Sequence, residues 1–316
     1  MMYLIPLLTA FAIVYVLIPE LRRAALRHDF VDRPNRRKIH AKPVPLSGGV
    51  ALYTGVLLAM LAFNRNLPLS LAVALGGTIL VMTGLMDDRA KAEGREFPVW
   101  PRLLVYLAAS SVPVWFGIEI EGISRWNGSG MVMFPGWLAW IATALWVFVM
   151  INMINFIDGV DGLAAGIILI ASLTLFTAAL MTNQDDSALL AIILAGACTA
   201  FLLYNFHPAE IFMGDSGAVF LGYTIAVVAI EGALKSATVV SVAVSVLALG
   251  VPIMDTAFVM TRRLLENRGL HRADRLHTHH SLMKWGLSQT QTVSFLYLVG
   301  GVFSLLAVIV LLLFRS

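Results

Sequence analysis

Ten mostly apolar runs, near 3–19, 46–63, 67–86, 103–118, 137–151, 163–181, 187–204, 217–231, 237–254 and 293–314, divide the 316-residue chain. Each is close to the roughly 17–25 residues that a helix needs to cross the hydrocarbon core of a bilayer, the fifth being the shortest. A soluble domain of this length has too little interior to hide a sequence that is 59% hydrophobic and 13% charged, whereas lipid requires no such hiding. The expected fold is therefore all-α. It is a single polytopic membrane domain over residues 1–316, with about ten transmembrane helices and no separate soluble domain. The runs show no fixed residue period. The start does not read as a cleavable leader, because no Lys or Arg precedes Leu21 and the basic stretch follows the first run. The single cysteine, Cys198, lies in an apolar run and reads as a small packing residue.

Charge sets the expected orientation. Loop one carries Arg22, Arg23, Arg27, Arg33, Arg36, Arg37, Lys38 and Lys42. Loop three and the start of the fourth run carry Arg89, Lys91, Arg95 and Arg102, and loop nine carries Arg262, Arg263, Arg268, Arg272, Arg275 and Lys284. These are 18 of the 22 basic residues; Arg65, Arg125, Lys235 and Arg315 fall on the other side. The bias places odd loops in the cytoplasm and, with ten spans, both termini outside. All seven histidines fall on the cytoplasmic side too.

The polar loops on that side carry the chemistry. Loop one, Arg33-Pro-Asn-Arg-Arg-Lys-Ile-His-Ala-Lys42-Pro-Val-Pro-Leu-Ser-Gly-Gly49, is broken by proline and ends in a glycine pair that lets the backbone turn. Its arginines suit anionic headgroups. Lys42, in the Pro-stiffened stretch at the membrane edge, is placed to meet a phosphate. Loop three opens on Asp87-Asp88-Arg-Ala-Lys91. Adjacent carboxylates resist joint ionisation unless a cation is close, and Lys91 is such a neighbour if the helix continues. A solvated helix end is the bland alternative.

Loop five, Asn152-Met-Ile-Asn155-Phe-Ile-Asp158-Gly159-Val160-Asp161-Gly162, repeats an amide or carboxylate every three residues. Acids this close to a bilayer core are costly and mark a working site. Their hard oxygens suit Mg²⁺, which takes one or two protein carboxylates together with substrate phosphates; a network of helix caps would use the same residues. Loop seven, Asn205-Phe-His-Pro-Ala-Glu-Ile-Phe212-Met-Gly-Asp215-Ser-Gly217, sets one Asp between glycines, either as a ligand on a tight turn or as the cap of the next helix. Loop nine ends in His277-Thr-His279-His280. Without Cys or an H-E-x-x-H context, a zinc site is disfavoured against contact with a phosphate or sugar. Carboxylates for Mg²⁺, cations for phosphates and an aromatic beside Asp215 that can stack on a base together suit phosphoryl transfer, in which positioning and charge neutralisation do most of the work. At the cytoplasmic rim of a multi-span protein, such a kit would join a cytosolic phosphate donor to a lipid acceptor.

The strings RPNRRKIHAKPVPLSGG, DDRAK, NMINFIDGVDGLAAG, YNFHPAEIFMGDSG, GVPIMDT and HTHHSLMKWGLS resemble the polyprenyl-phosphate N-acetylhexosamine-1-phosphate transferase family. Their order and nearly whole-chain extent match its undecaprenyl-phosphate N-acetylglucosaminyl-1-phosphate branch best. The resemblance implies ten or eleven helices around a cytoplasmic active-site groove in the bacterial inner membrane. It implies transfer of N-acetylglucosamine-1-phosphate, or a related N-acetylhexosamine-1-phosphate, from a UDP-sugar to undecaprenyl phosphate, with release of UMP. Mg²⁺ is the implied cofactor, with Mn²⁺ as a substitute, and the product would open a cell-envelope polysaccharide pathway. By motif, Asp215 matches the Mg²⁺ ligand and Asn155 joins it. Asp87 and Asp88 match the acidic pair, the first being the usual candidate for deprotonating the lipid phosphate, and Asp158 joins them as catalytic. Lys42 and Lys91 match phosphate-site lysines. Asp161, Asn205 and Phe212 match positions around the uracil, with Gly159 and Val160 lending backbone, and His277, His279 and His280 match the motif that faces the sugar and diphosphate. The expected partners are donor, lipid acceptor and bilayer, not nucleic acid, with a homodimer left open.

Some positions depart from that pattern. Ser281 stands where the branch usually has Arg, Arg275 and Leu276 stand where a Lys is frequent, and the sequence stops soon after the tenth run. The muramoyl-pentapeptide branch is the enzymatic alternative, but its three consecutive histidines are absent. A transporter would favour ionisable groups near the midplane rather than at one rim. A CDP-alcohol-type enzyme would need further Asp residues after Asp161, where Leu163-Ala-Ala-Gly instead runs into an apolar span. An inactive regulatory relative fits poorly with retention of all five acids.

Overall fold

A computed structural model describes residues 1–34, 42–124, 130–234, 238–265 and 277–314. Arg36, Arg37, Lys38, His40, Arg125, Lys235, Arg268, His271, Arg272, Arg275, Leu276 and Arg315 lie outside the described residues. In chain order the elements are α1 (Leu4–Arg27), β1 (Val31–Asp32), β2 (Val44–Pro45), α2 (Gly48–Phe63), α3 (Leu67–Ala92), α4 (Val99–Ser110), α5 (Val112–Trp115), β3 (Gly122–Ser124) and β4 (Met131–Met133). They continue with α6 (Gly136–Ile157), α7 (Leu163–Met181), α8 (Asp185–Asn205), α9 (Gly214–Ala229), a π turn (Ile230–Leu234), α10 (Val239–Ala248), α11 (Gly250–Leu265), α12 (Thr278–Lys284) and α13 (Gln289–Leu313).

All ten apolar runs fall on helix, and the protein is a polytopic membrane protein. Among the described residues, seven helices are individually long and apolar enough to span, and an eighth span results if α10 and α11, bent by 77° at their junction, are counted as one. The second run forms a 16-residue helix, about 24 Å at 1.5 Å per residue and short of the roughly 30 Å core. Ser111 divides the fourth run between α4 and α5. Of the about ten spans expected, seven or eight meet the criterion of length and composition among the described residues. Helix is also not the whole of the fold. β1 pairs antiparallel with β2, and β3 with β4, because short loops that cannot be helical still satisfy their backbone groups by pairing locally.

The layers follow from side-chain size. α1 and α13 expose rows of Leu, Ile and Val, and only 22% of each spanning window is buried, against 83% for α9. α9 is therefore the central post. Small residues let its neighbours come close, the usual means of helix association where lipid removes the hydrophobic drive. A Cβ on Gly84 of α3 would sit 2.3 Å from Ser216 Cα of α9, so the two backbones touch. The start of α2 docks there too: Gly48 and Gly49 donate their amide hydrogens to the Phe212 and Met213 carbonyls at 3.0 Å each. Phe212 in turn donates its amide hydrogen to Pro45 O at 2.8 Å. Loops one and seven are thereby joined at one end of the bundle. The C-termini of α3, α6 and α8 and the N-termini of α2, α9 and α13 meet at that end. Trp100 and Trp285 are exposed near it, and Trp115 and Trp137 near the opposite end, as expected of interfacial aromatics.

Candidate active site

The start of α9 organises the site. Gly214 takes a left-handed conformation (φ +68°), open to glycine at little cost, and aims the first amides of α9 at α3. Asp88, fully buried, receives them: Oδ1 accepts from Asp215 N at 2.8 Å, and Oδ2 accepts from Ser216 N at 3.2 Å and Ser216 Oγ at 2.9 Å. A carboxylate on one helix thus caps the next. Asp215 is not itself that cap. Its Oδ2 lies 2.6 Å from Lys91 Nζ and 3.7 Å from an Arg102 guanidinium nitrogen. Asp87, only 1% exposed, shares those cations, with Arg102 at 2.6 Å and Lys91 at 4.0 Å. The adjacent acids of α3 therefore do different work. Asp88 holds backbone, while Asp87 holds cations.

The opposing wall comes from the turn after α6. Asn205, at the end of α8, accepts from Gly162 N at 3.0 Å and donates to Ile211 O at 2.8 Å, and the Tyr297 hydroxyl donates to Gly162 O at 2.6 Å. This clamp orders the Asp158–Gly162 turn against loop seven. Asp161 Oδ2 accepts from Ala209 N at 3.2 Å and pairs with His207 Nδ1 at 2.8 Å. Burial and the nearby Asp215 carboxylate push Asp158 up to about 7, against the pull of Lys91. Burial thus disfavours the ionised form of Asp158 unless a cation stands beside it.

Between these walls lies a cavity of about 780 Å³, within the range typical of ligand sites. Of the residues singled out from sequence, Lys42, Asp88, Lys91, Asp158, Gly159, Val160, Asp161, Asn205, Phe212, Asp215 and His280 line it. Asp87, Asn155, His277 and His279 are not in its lining. Asp87 is reached through Lys91 and Arg102, and Asn155 sits half-buried on the last turn of α6. His277 and His279 stand behind His280, with ring centroids 5.7 Å apart between the first two and 4.3 Å between the last two. His279 is buried against Gly159, where a Cβ would sit 2.7 Å from its Nε2. Burial, with His280 beside it, pushes its pKa down to about 3, so its imidazole is neutral at ordinary pH.

Sequence reasoning missed three residues here. Arg102 counted only as a topology charge, although it bridges Asp87 and Asp215. His207 lines the cavity, and its place two residues after Asn205 was the available signal. Asp255, known only as part of the GVPIMDT string, binds His277 at 2.7 Å. Among the described residues no three His, Cys, Asp or Glu side chains converge as a ready-made metal cage. Asp215 and Asp158 nevertheless offer hard oxygens on facing walls, a donor set that fits Mg²⁺ held jointly with substrate phosphates.

Comparison with known proteins places this arrangement. A sequence profile described as glycosyl transferase family 4 matches residues 70–233. A Bacillus subtilis (strain 168) protein described as a probable undecaprenyl-phosphate N-acetylglucosaminyl 1-phosphate transferase is 35% identical over 314 residues, covering 97% of this chain and 83% of the relative. The decaprenyl-phosphate N-acetylglucosaminephosphotransferase of Mycolicibacterium smegmatis (strain ATCC 700084 / mc(2)155) is 31% identical, covering 93% and 79%. The undecaprenyl-phosphate alpha-N-acetylglucosaminyl 1-phosphate transferase of Escherichia coli (strain K12) is 26% identical, covering 91% and 78%. With the profile spanning half of the chain and the relatives nearly all of it, this protein is a membrane phosphotransferase of glycosyl transferase family 4, belonging to the polyprenyl-phosphate N-acetylhexosamine-1-phosphate transferases that its motifs resemble.

Proposed function

We propose that this protein transfers N-acetylglucosamine-1-phosphate from UDP-N-acetylglucosamine to undecaprenyl phosphate, releasing UMP, with Mg²⁺ as cofactor and the cavity open to the cytoplasm. The observation that carries this reading is the pairing of Asp215 with Lys91 across the cavity from the Asp158 turn, beside Phe212 and Lys42. A lipid phosphate oxygen attacks the sugar-bearing phosphorus, the bond from that phosphorus to the bridging oxygen breaks, that oxygen leaves with UMP, and the sugar-1-phosphate passes to the lipid. Mg²⁺ would be held by Asp215, with Asn155 as the second ligand that the motif resemblance implies, and would supply charge neutralisation for the diphosphate. Lys91 and Lys42 hold phosphate oxygens, Phe212 stacks on the uracil, and the Asp158–Asp161 turn frames it. Asp87 accepts the proton of an acceptor phosphate that still carries one. Asp88 keeps α9, and hence Asp215, in place.

The direct test uses purified protein, undecaprenyl phosphate, Mg²⁺ and a panel of radiolabelled UDP-sugars. Lipid-linked product from UDP-N-acetylglucosamine, abolished by EDTA and restored by Mg²⁺, supports the reaction. Turnover confined to a different UDP-sugar rejects the proposed donor.

The two halves of the site should separate by mutation. Asp87→Asn should lose turnover yet still bind UMP by calorimetry. Phe212→Ala should weaken that binding by roughly 1–3 kcal/mol as the base loses its aromatic partner. The reverse pattern would mean that acceptor and donor sides have been interchanged. Orientation is checked by thiol labelling in intact cells in a Cys198→Ala background. Cysteine at exposed Gln184, at the far end of the bundle, should react with a membrane-impermeant reagent, and cysteine at exposed Lys284 should not. Labelling of position 284 alone would invert the topology.

A further inference from the structure

Asp255 lies on α11, just past the 77° break from α10, and is 3% exposed. A carboxylate buried in an apolar helix is costly unless fully partnered. Both of its oxygens are used by one short segment: Oδ2 meets His277 Nδ1 at 2.7 Å, and Oδ1 accepts from Thr278 N at 2.6 Å. An ionised carboxylate at Nδ1 keeps a proton on that nitrogen and leaves Nε2 as the ring's other working atom. The ring is also held on its faces. Phe156 at the end of α6 is 5.8 Å away between centroids, and His279 stacks at 5.7 Å with 8° between planes. From His279 the contact continues to His280, which lines the cavity.

We propose that Asp255 is a positioning residue that acts through His277, fixing its tautomer and ring orientation so that the His277–His280 segment meets the sugar-diphosphate donor. This rests on the reaction proposed above. It assigns a task to a buried acid that neither the nucleotide side nor the acceptor side of the site employs. It also links the broken α10–α11 span to the cavity wall.

The test is a double-mutant cycle with UDP-N-acetylglucosamine and undecaprenyl phosphate. Asp255→Asn keeps an acceptor for Thr278 N but presents His277 with a donor or a misplaced carbonyl. It should lower kcat/KM about 10–100-fold, the usual scale for residues that orient a working histidine, and His277→Ala should cost a similar factor. The double variant should be no more than about threefold worse than His277→Ala, because coupled residues do not add. UMP affinity, read by calorimetry, should be unchanged in all three. Losses that multiply in the double variant, or loss of UMP binding by Asp255→Asn, would overturn the assignment, since either means that the carboxylate acts independently of the imidazole. If Asp255→Asn does not purify, Asp255→Glu enters the same cycle with the same expectation of cancellation. Wild-type protein that transfers nothing from UDP-N-acetylglucosamine overturns the reaction itself, whereas wild-type turnover with multiplying losses overturns only the role of Asp255.

Discussion

Replacing Asp215 by Asn should abolish most turnover while leaving the fold intact. The substitution keeps the shape of the side chain and leaves the backbone bonds from Asp215 N and Ser216 N to Asp88 untouched. What it removes is the anion 2.6 Å from Lys91, and with it the carboxylate proposed to hold Mg²⁺ against the diphosphate. Loss of one preorganised electrostatic contact of this kind costs about 100- to 1,000-fold in kcat. Thermal stability in detergent and the yield of membrane-inserted protein should match the wild type. Near-normal turnover of Asp215→Asn at limiting Mg²⁺ would remove Asp215 from the reaction.

The neighbouring acid should behave in the opposite way. Asp88→Ala should destabilise first and inactivate as a consequence. It strips three hydrogen bonds from the buried start of α9 and leaves the Asp215 and Ser216 amides without an acceptor. Losing a cap and stranding buried donors costs about 2–4 kcal/mol. Because α9 is the central post, the displacement also moves Asp215 relative to Lys91, so activity should fall by about 100-fold or more. Melting followed by light scattering or intrinsic fluorescence should show a clear drop for Asp88→Ala and none for Asp215→Asn. Equal stability of the two variants would show that Asp88 is not a structural strut, and would return it to the group that acts on substrate.

These two results would divide a motif that looks uniform on paper. Asp87 and Asp88 are adjacent on α3, so the helix turns them about 100° apart. One carboxylate consequently meets Arg102 and Lys91, and the other meets the start of α9. Arg102 belongs to α4, which returns alongside α3, and it reaches both Asp87 and Asp215, whose carboxylates lie against one another. The cavity is therefore framed by pairs, each joining residues separated in sequence: Asp88 with Ser216, Asp215 with Lys91 and Asp161 with His207, with Asp255 and His277 paired behind His280.

Much of this was legible before any coordinates. Apolar runs of spanning length could form little except membrane helices, because backbone polar groups in hydrocarbon must be satisfied within the segment. The one-sided charge and the costly acids at run ends pointed to one rim, and the order of motifs pointed to one family. Asp158, Asp161, Phe212, Asp215 and Lys91 do meet around one cavity, as strings flanking helix ends must when alternate ends face the same side. Sequence alone could not divide the work within those strings. Whether Asp88 holds backbone or substrate depends on α9 arriving 2.8 Å away, which requires the touching backbones at Gly84 and Ser216. The bend between α10 and α11 and the place of Asp255 likewise depend on packing partners remote in the chain. Periodicity and composition report how a segment meets its solvent, which is why they determined the membrane fold; which two polar groups become neighbours is decided only when helices pack, and that the tertiary structure alone supplied.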